Sequence, residues 1–378
     1  MDDQRQTTCR AAADAIRPAG PTLAGLRALI GLDGFVDEII AVVERRHDLE
    51  HYDRVETIAR MAAKIGAAAG KSSNYELVVT RRKLGGNGPI MANALAALGM
   101  RVDYVGCLGV PAIDPVFAEF AARAEVTSIA NPGFTNALEF ADGKLMLSKL
   151  ASLHDVNWAN LTAAMPVPEL IRRFAESRLI GLLNWTELPG LGAIWDGLIA
   201  EVFPHVPRTD RTLFIDLVDP EKRTVADIRG ALDTLARFQG HVDVTLGLNL
   251  KEATQAAGAL GLGSPGDDLA AAAGAIRATL GLTCVVIHPR EGAAAATAQG
   301  SARILGPFVA HPLISTGAGD HFNAGFCLGR VLGLPLDQCL AAGVATSGFY
   351  VRTATSPTAA ELAHFLADLP GPEADADA

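Results

Sequence analysis

"RTLFIDLVDPEKRTVADIRGALDTLARFQGHVDVTLGLNLKEATQAAGAL" runs from Arg211 to Leu260 and reads strand, helix, strand, helix. The strand pieces, "RTLFIDLV" and "VDVTLGL", are short and apolar. The stretch between them, "VADIRGALDTLARF", repeats its apolar residues at helical spacing. Apolar strands that alternate with helices describe a parallel sheet buried on both faces. The pattern continues in both directions. Upstream, "RLIGLLNW" (178–185) is a buried strand followed by the helical "LGAIWDGLIAEVF" (191–203). Downstream, "LKEATQAAGAL" (250–260) is a helix and "LTCVVIH" (282–288) another strand. Right-handed crossovers then give an α/β fold with a doubly wound, mostly parallel sheet and helices on both faces.

The front half departs from this alternation. "LRALIGLDGFVDEIIAVV" (26–43) and "YELVVTRRKLGG" (75–86) read as strands, and "PIMANALAALG" (89–99) as a helix with proline in its first turn. "FTNALEFADGKLMLSKL" (134–150) alternates and turns at Asp142-Gly143, a hairpin signal. These stretches predict a small β-sheet lid beside the α/β layer, built from about 33–45, 74–84 and 128–150, with the helical "ETIARMAAKIGAAAG" between two of them. The expected organisation is an N-terminal extension (1–26), one α/β domain (27–368) carrying the lid, and an acidic tail (369–378).

Composition narrows the function. With 49% hydrophobic residues among 378, the chain can bury a large core. Its 32 basic and 42 acidic residues leave a net charge of −10, which argues against nucleic acid or an anionic membrane as partner. An anionic substrate needs a local positive site. Five cysteines, an odd number without a Cys-x-x-Cys, read as reduced thiols of a cytoplasmic protein. The first twenty residues hold no apolar stretch of the signal-peptide kind, and no run of about eighteen apolar residues suggests a membrane span.

One stretch offers that local site. "ISTGAGDHFNAGF" (314–326) follows extended chain and opens a helix. Gly317 and Gly319 allow positive φ and a close approach of ligand to backbone. The helix start adds unpaired N–H groups and about half a positive charge, which together make an anion site. Asp320 is either an N-cap or a carboxylate held against that site to take a proton from an attacking hydroxyl. Two look-alikes fail on context. "GLGSPG" (261–266) follows a helix, so it is a helix–helix connection. "IGAAAGKS" (65–72) lacks the first glycine of a P-loop and also follows a helix.

With these residues in view, the sequence resembles the ribokinase-like, or phosphofructokinase-B, carbohydrate kinases. "STGAGDHFNAGF" is similar to that family's C-terminal signature, which makes Gly317, Ala318 and Gly319 the anion hole and Asp320 the catalytic base. "GGNGPIMANALAALG" (85–99) resembles the N-terminal signature, whose Gly85 and Gly86, with Asn87, meet the sugar. "LDGFVD" (32–37) resembles the stretch in which Asp33 and Asp37 grip substrate hydroxyls. "NLKE" (249–252) resembles Asn-x-x-Glu, so Asn249 and Glu252, with Thr316 nearby, organise the nucleotide and Mg²⁺. No direct protein ligand to the metal is implied; Glu252 acts through water. "DLVDPEKR" (216–223) resembles the Asp-and-Arg stretch after a central strand.

The resemblance implies a cytoplasmic kinase that transfers the γ-phosphoryl of ATP to a hydroxyl of a small sugar. ATP and Mg²⁺ are the cofactors, and there is room for a homodimer through the lid. Two alternatives stay open. One is a nucleoside kinase of the same fold, with Phe134 and Phe140 lining a slot for the base. The other is a catalytically silent sugar- or nucleotide-binding regulator. His321 reads as a helix-face residue, and Lys144 and Lys149 as solubilising charges of the lid. Three departures stand out. Ile90 replaces the usual Asn of the N-terminal signature, with Asn87 or Asn93 to compensate. Ile287 and Pro289 stand where Thr-x-Gly is common. Ile314 replaces the Asp that supplies a carboxylate to a monovalent cation, so little activation by K⁺ is expected.

Overall fold

The computed structural model describes residues 2–373; residues 374–378 of the expected acidic tail lie outside the described residues. Fourteen strands are described: β1 (Arg27–Leu32), β2 (Phe35–Arg46), β3 (Tyr52–Arg54), β4 (Leu77–Gly85), β5 (Arg101–Gly106), β6 (Glu125–Ser128), β7 (Gly133–Phe140), β8 (Gly143–Lys149), β9 (Leu179–Leu183), β10 (Thr212–Asp216), β11 (Asp243–Leu248), β12 (Cys284–Ile287), β13 (Gly292–Thr297) and β14 (Gly300–Leu305). Nine form one sheet in the order β14-β13-β12-β11-β10-β9-β1-β5-β6. Every pair from β12 to β6 is parallel, and the two pairs at the β14 edge are antiparallel. The chain builds outward from β1 in both directions, so the strand order reverses beside β1. In open α/β sheets, ligands bind at the carboxyl ends of the strands next to such a reversal.

The apolar strands bury both faces. Ile180 and Leu182 of β9 and Leu213 and Ile215 of β10 enter the core on one side. Leu179, Leu183 and Phe214 enter the core on the other. This is the period-two alternation of a strand with no solvent face. Residues 3–26, expected to belong to an extension, are built into the second core. The helix Asp2–Ile16 buries Cys9, Ala12, Ala13 and Ile16 and packs against the helices Leu336–Thr353 and Ala359–Ala367. Arg5 donates to the Leu305 and Pro370 carbonyls at 2.9 and 2.7 Å. The start of the acidic tail is held as well, because Glu373 accepts from Ala310 N at 3.0 Å.

The lid is a separate sheet of β2, β3, β4, β7 and β8. Only Asp33 and Gly34 separate β1 of the main sheet from β2 of the lid. Within the lid, Ile40, Val42, Leu138 and Phe140 pack on one face beneath Met61 of the helix Ile58–Ala67. Thr57 caps that helix by accepting from Arg60 N. Asp37 lies on the other face, with Lys83 and Thr135 paired to it across β4 and β7, and Ser148 beyond them on β8.

Candidate active site

The site forms where the carboxyl end of β1 meets the lid. Asp33 leaves β1 fully buried and accepts three hydrogen bonds: from Asn87 N at 2.9 Å, Gly88 N at 2.8 Å and Asn184 Nδ2 at 2.8 Å. The first two donors are the opening amides of the helix Asn87–Ala97, so Asp33 caps that helix from another strand. Burial pushes its carboxyl up to about 6, with the three donors pulling the other way.

Two aspartates explain the glycines of "GGNG". A Cβ on Gly85 would lie 2.4 Å from the Asp37 carboxyl group, and one on Gly88 2.6 Å from Asp33 Oδ1. Gly86 adds a φ of 93°, which side chains disfavour. Asp37 is buried, which raises its carboxyl, and the charges of Lys83 and Lys144 oppose that rise. Asn87 completes the turn by donating Nδ2 to Asp320 Oδ1 at 2.9 Å.

Asp320 occupies the first turn of the helix Ala318–Val331, whose N-cap is Gly317 with φ 92°. A helix start leaves its first amides without intrahelical acceptors, so those of Gly319 and Asp320 are free for an anion. Burial first, then the charge of Asp216, holds the Asp320 carboxyl well above the usual carboxylate range. Ile90 packs beneath this turn; a Cβ on Gly317 would lie 3.1 Å from its Cγ2. Thr316 turns its carbonyl to the Tyr350 hydroxyl, 3.0 Å away, and its own hydroxyl to Lys144 Nζ.

Asn249 and Glu252 form a full capping box on the helix Leu250–Ala259, each side chain bonding the other's backbone N–H. Glu252 is nevertheless buried, and burial followed by the charge of Asp216 keeps its carboxyl well above the ordinary range. Asp216, at the end of β10, accepts from Val218 N at 2.9 Å and Asn323 Nδ2 at 2.8 Å, and burial raises it to about 6. Two buried carboxylates, one of them raised by the other's charge, suit a nearby cation. Among the described residues no group of three or more His, Cys, Asp or Glu side chains forms a metal site. The carboxylates of Asp216 and Glu252 fit Mg²⁺ held through its water shell. Beside them opens a cavity of about 380 Å³, lined by Asn249, His288, Ala318 and Gly319 and by the apolar Phe308 and Val351.

The structure thus gathers Asp33, Asp37, Gly85, Gly86, Asn87, Thr316, Gly317, Ala318, Gly319 and Asp320 around one point, with Asn249 lining the adjacent cavity and Glu252 bonded to it. Several residues in this neighbourhood were missed in the sequence. Asn184 sits at the end of β9 with φ 63°, and its signal was its place just after a buried strand. Lys83 was one of three consecutive cations, and only the pairing with Asp37 selects it. Lys144 corrects the expectation of a solubilising charge, since it reaches the Ser315 and Thr316 hydroxyls, whereas Lys149 is exposed. Phe134 and Phe140 lie on the strand face opposite Thr135, the first packed against the main core and the second in the lid's own apolar cluster, so they do not form a slot beside Asp37.

Solved structures share this architecture. A ribokinase from Arabidopsis thaliana complexed with ribose and ATP superposes with a TM-score of 0.61 at 16% identity, over 90% of this chain and 98% of that one. An adenosine kinase from Sinorhizobium meliloti gives 0.61 at 17% identity, over 90% and 99%. These likenesses define the fold as ribokinase-like. A ketohexokinase from Haloferax volcanii is 31% identical over 368 residues, 97% of each chain. The family model for prokaryotic ketohexokinase matches residues 3–369, and the chain belongs to that family. It transfers a phosphoryl group from ATP to a hydroxyl of a small sugar.

Proposed function

We propose that the acceptor is a ketohexose, that Asp320 is the base for its attacking hydroxyl, and that the reaction runs with Mg²⁺. The hydrogen bond from Asn87 to Asp320 carries the reading, because it ties the Asp33-held glycine turn to the carboxylate at the anion hole. The near full-length match to a ketohexokinase supports the choice of sugar. The polar inner face of the lid, with Asp37, Lys83 and Thr135 in one row, suits hydroxyl groups better than a nucleobase. No helix among the described residues is long and apolar enough to cross a membrane. A homodimer through the lid fits the exposed Leu77, Val79, Met146 and Leu147 on its strands.

In this reading Asp33 orders the turn, while Asp37 and Asn87 orient the acceptor with one hydroxyl against Asp320. The hydroxyl oxygen bonds to the γ-phosphorus, its proton passes to an Asp320 oxygen, and the bond to the bridging oxygen of ADP breaks. The raised proton affinity of Asp320 suits it to that transfer near neutral pH. Charge on the transferred group meets the amides of Gly317 and Gly319, the Ala318 amide being bonded to the Ser315 carbonyl at 3.2 Å, and the lid cations Lys83 and Lys144. Asp216 and Glu252 would hold the Mg²⁺ through its water shell, and the ion, when bound, offsets phosphate charge.

The test is ADP formation from ATP with D-fructose and other ketohexoses, aldohexoses, pentoses and nucleosides. The highest kcat/KM is expected for a ketohexose. A higher value for a nucleoside or an aldose would overturn the choice of acceptor.

A further inference from the structure

His321 follows the base in the sequence, and its ring is buried. Its Nδ1 lies 2.7 Å from the Gly317 carbonyl and its Nε2 2.9 Å from Ser356 Oγ. A carbonyl only accepts, so Nδ1 carries the proton and Nε2 accepts from the serine hydroxyl. Ser356 Oγ in turn receives Asn93 Nδ2 at 3.4 Å, from the helix that follows the glycine turn. The ring stacks on Tyr350 with centroids 3.5 Å apart and planes at 12°. The Tyr350 hydroxyl donates to the Thr316 carbonyl at 3.0 Å. Two stacked rings thus hold two successive carbonyls of the loop that forms the anion hole. A peptide unit points its C=O and N–H in opposite directions. Anchoring the Thr316 carbonyl therefore aims the Gly317 N–H away from the rings. The second anchor fixes the left-handed conformation of Gly317 that starts the helix.

We propose that His321, braced by Tyr350 and Ser356, is a positioning residue that holds the Thr316–Gly317 carbonyls and so pre-aligns the anion-hole amides for the transferred phosphoryl group. The inference rests on the reading of the 317–319 turn and Asp320 as the phosphoryl-transfer site. Burial lowers the imidazole to about 4, consistent with a neutral ring that keeps this one tautomer. A neutral ring also adds no positive charge beside Asp320, whose proton affinity stays raised.

Three variants and one spectrum test it. His321→Phe keeps an aromatic ring on Tyr350 but removes the donor. Its kcat is expected to fall 10- to 100-fold, with KM for ATP and sugar within about threefold of wild type, because an anion hole acts chiefly on the transition state. His321→Asn places an amide N–H near the Nδ1 position and is expected to recover at least tenfold of that loss. Asp320→Asn runs alongside as a control on the underlying reading. If it lowers turnover strongly while His321→Phe does not, the positioning role alone is wrong; if neither does, the site reading is wrong. A rise in KM without loss of kcat, or an Asn variant no better than Phe, also overturns the proposal. Nitrogen-15 NMR of the wild-type imidazole decides the case even if His321→Phe fails to fold. A neutral ring protonated at Nδ1 is expected at pH 6–8, and an Nε2-protonated ring contradicts the geometry.

Discussion

Asp216 shows at the scale of one residue how the site trades stability for function. Its folded-state carboxyl titrates near 6, whereas a free Asp titrates near 3.9. The folded protein therefore binds that proton more tightly than the unfolded chain. The corresponding stability is complete below about pH 4 and is lost as pH rises through 6. Asp216→Asn removes the ionisation. Val218 N still finds an oxygen, and Asn323, whose Oδ1 has no partner, can turn that oxygen to the new amide. The variant is expected to be more stable than wild type at pH 8 by roughly 2–3 kcal/mol, at about 1.4 kcal/mol per pKa unit. That gain corresponds to a Tm higher by about 3 °C for a chain of this length. Near pH 4 the gain should vanish. Thermal melts at the two pH values check it, and a gain independent of pH would contradict the assignment. Legibility at this scale follows residue type. Asp33 and Asp320 each stand next to a glycine in the sequence, and Gly85 and Gly88 mark where the Asp37 and Asp33 carboxyls press on the backbone. Asn184 and Lys83 have no glycine beside them, and the glycine before Lys144 belongs to a hairpin turn, so only strand ends and cross-strand pairing bring these three to the site.

Among the elements, the lid hairpin of β7 and β8 makes the clearest case. Lys144 follows Gly143 at the hairpin turn, and its ammonium reaches Ser315 and Thr316 of the anion-hole loop. Burial lowers its proton affinity, while Glu139 and Asp37 oppose that change. Lys144→Met keeps most of the stem and removes the charge. It is expected to lower kcat by about 10²–10³-fold, the order seen when one donor to a developing charge is lost. Its Tm should stay within about a degree of wild type, since the residue is only half-buried. Steady-state rates and melting curves together check this; unchanged kcat would place the lysine outside the chemistry. The lid strands were legible because they alternate and turn at Asp-Gly. The helix Asp2–Ile16 was harder to read. Cys9, Ala12, Ala13 and Ile16 are spaced for one helical face, but three of the four are small, so the stripe is weak. Its burial depends on partner helices more than 300 residues away in the chain.

Across the whole molecule, two parts of the chain remote in sequence converge on one carboxylate. The β1 end and the glycine turn supply Asp33 and Asn87, and a helix some 230 positions later supplies Asp320. The alternation of strand and helix disclosed the sheet, and the reversal beside β1 explains why the ends of β1, β9, β10 and β11 carry the polar residues. The separate sheet of the lid then covers that end. This convergence makes Asp320 the residue on which the account turns. The most direct test compares Asp320→Asn with wild type in ATP-dependent phosphorylation of a ketohexose at saturating concentrations of both substrates. Turnover of Asp320→Asn is expected to be lower by about 10²–10⁴, the range for losing a general base, with sugar affinity and Tm nearly preserved. Turnover within a few-fold of wild type would contradict it.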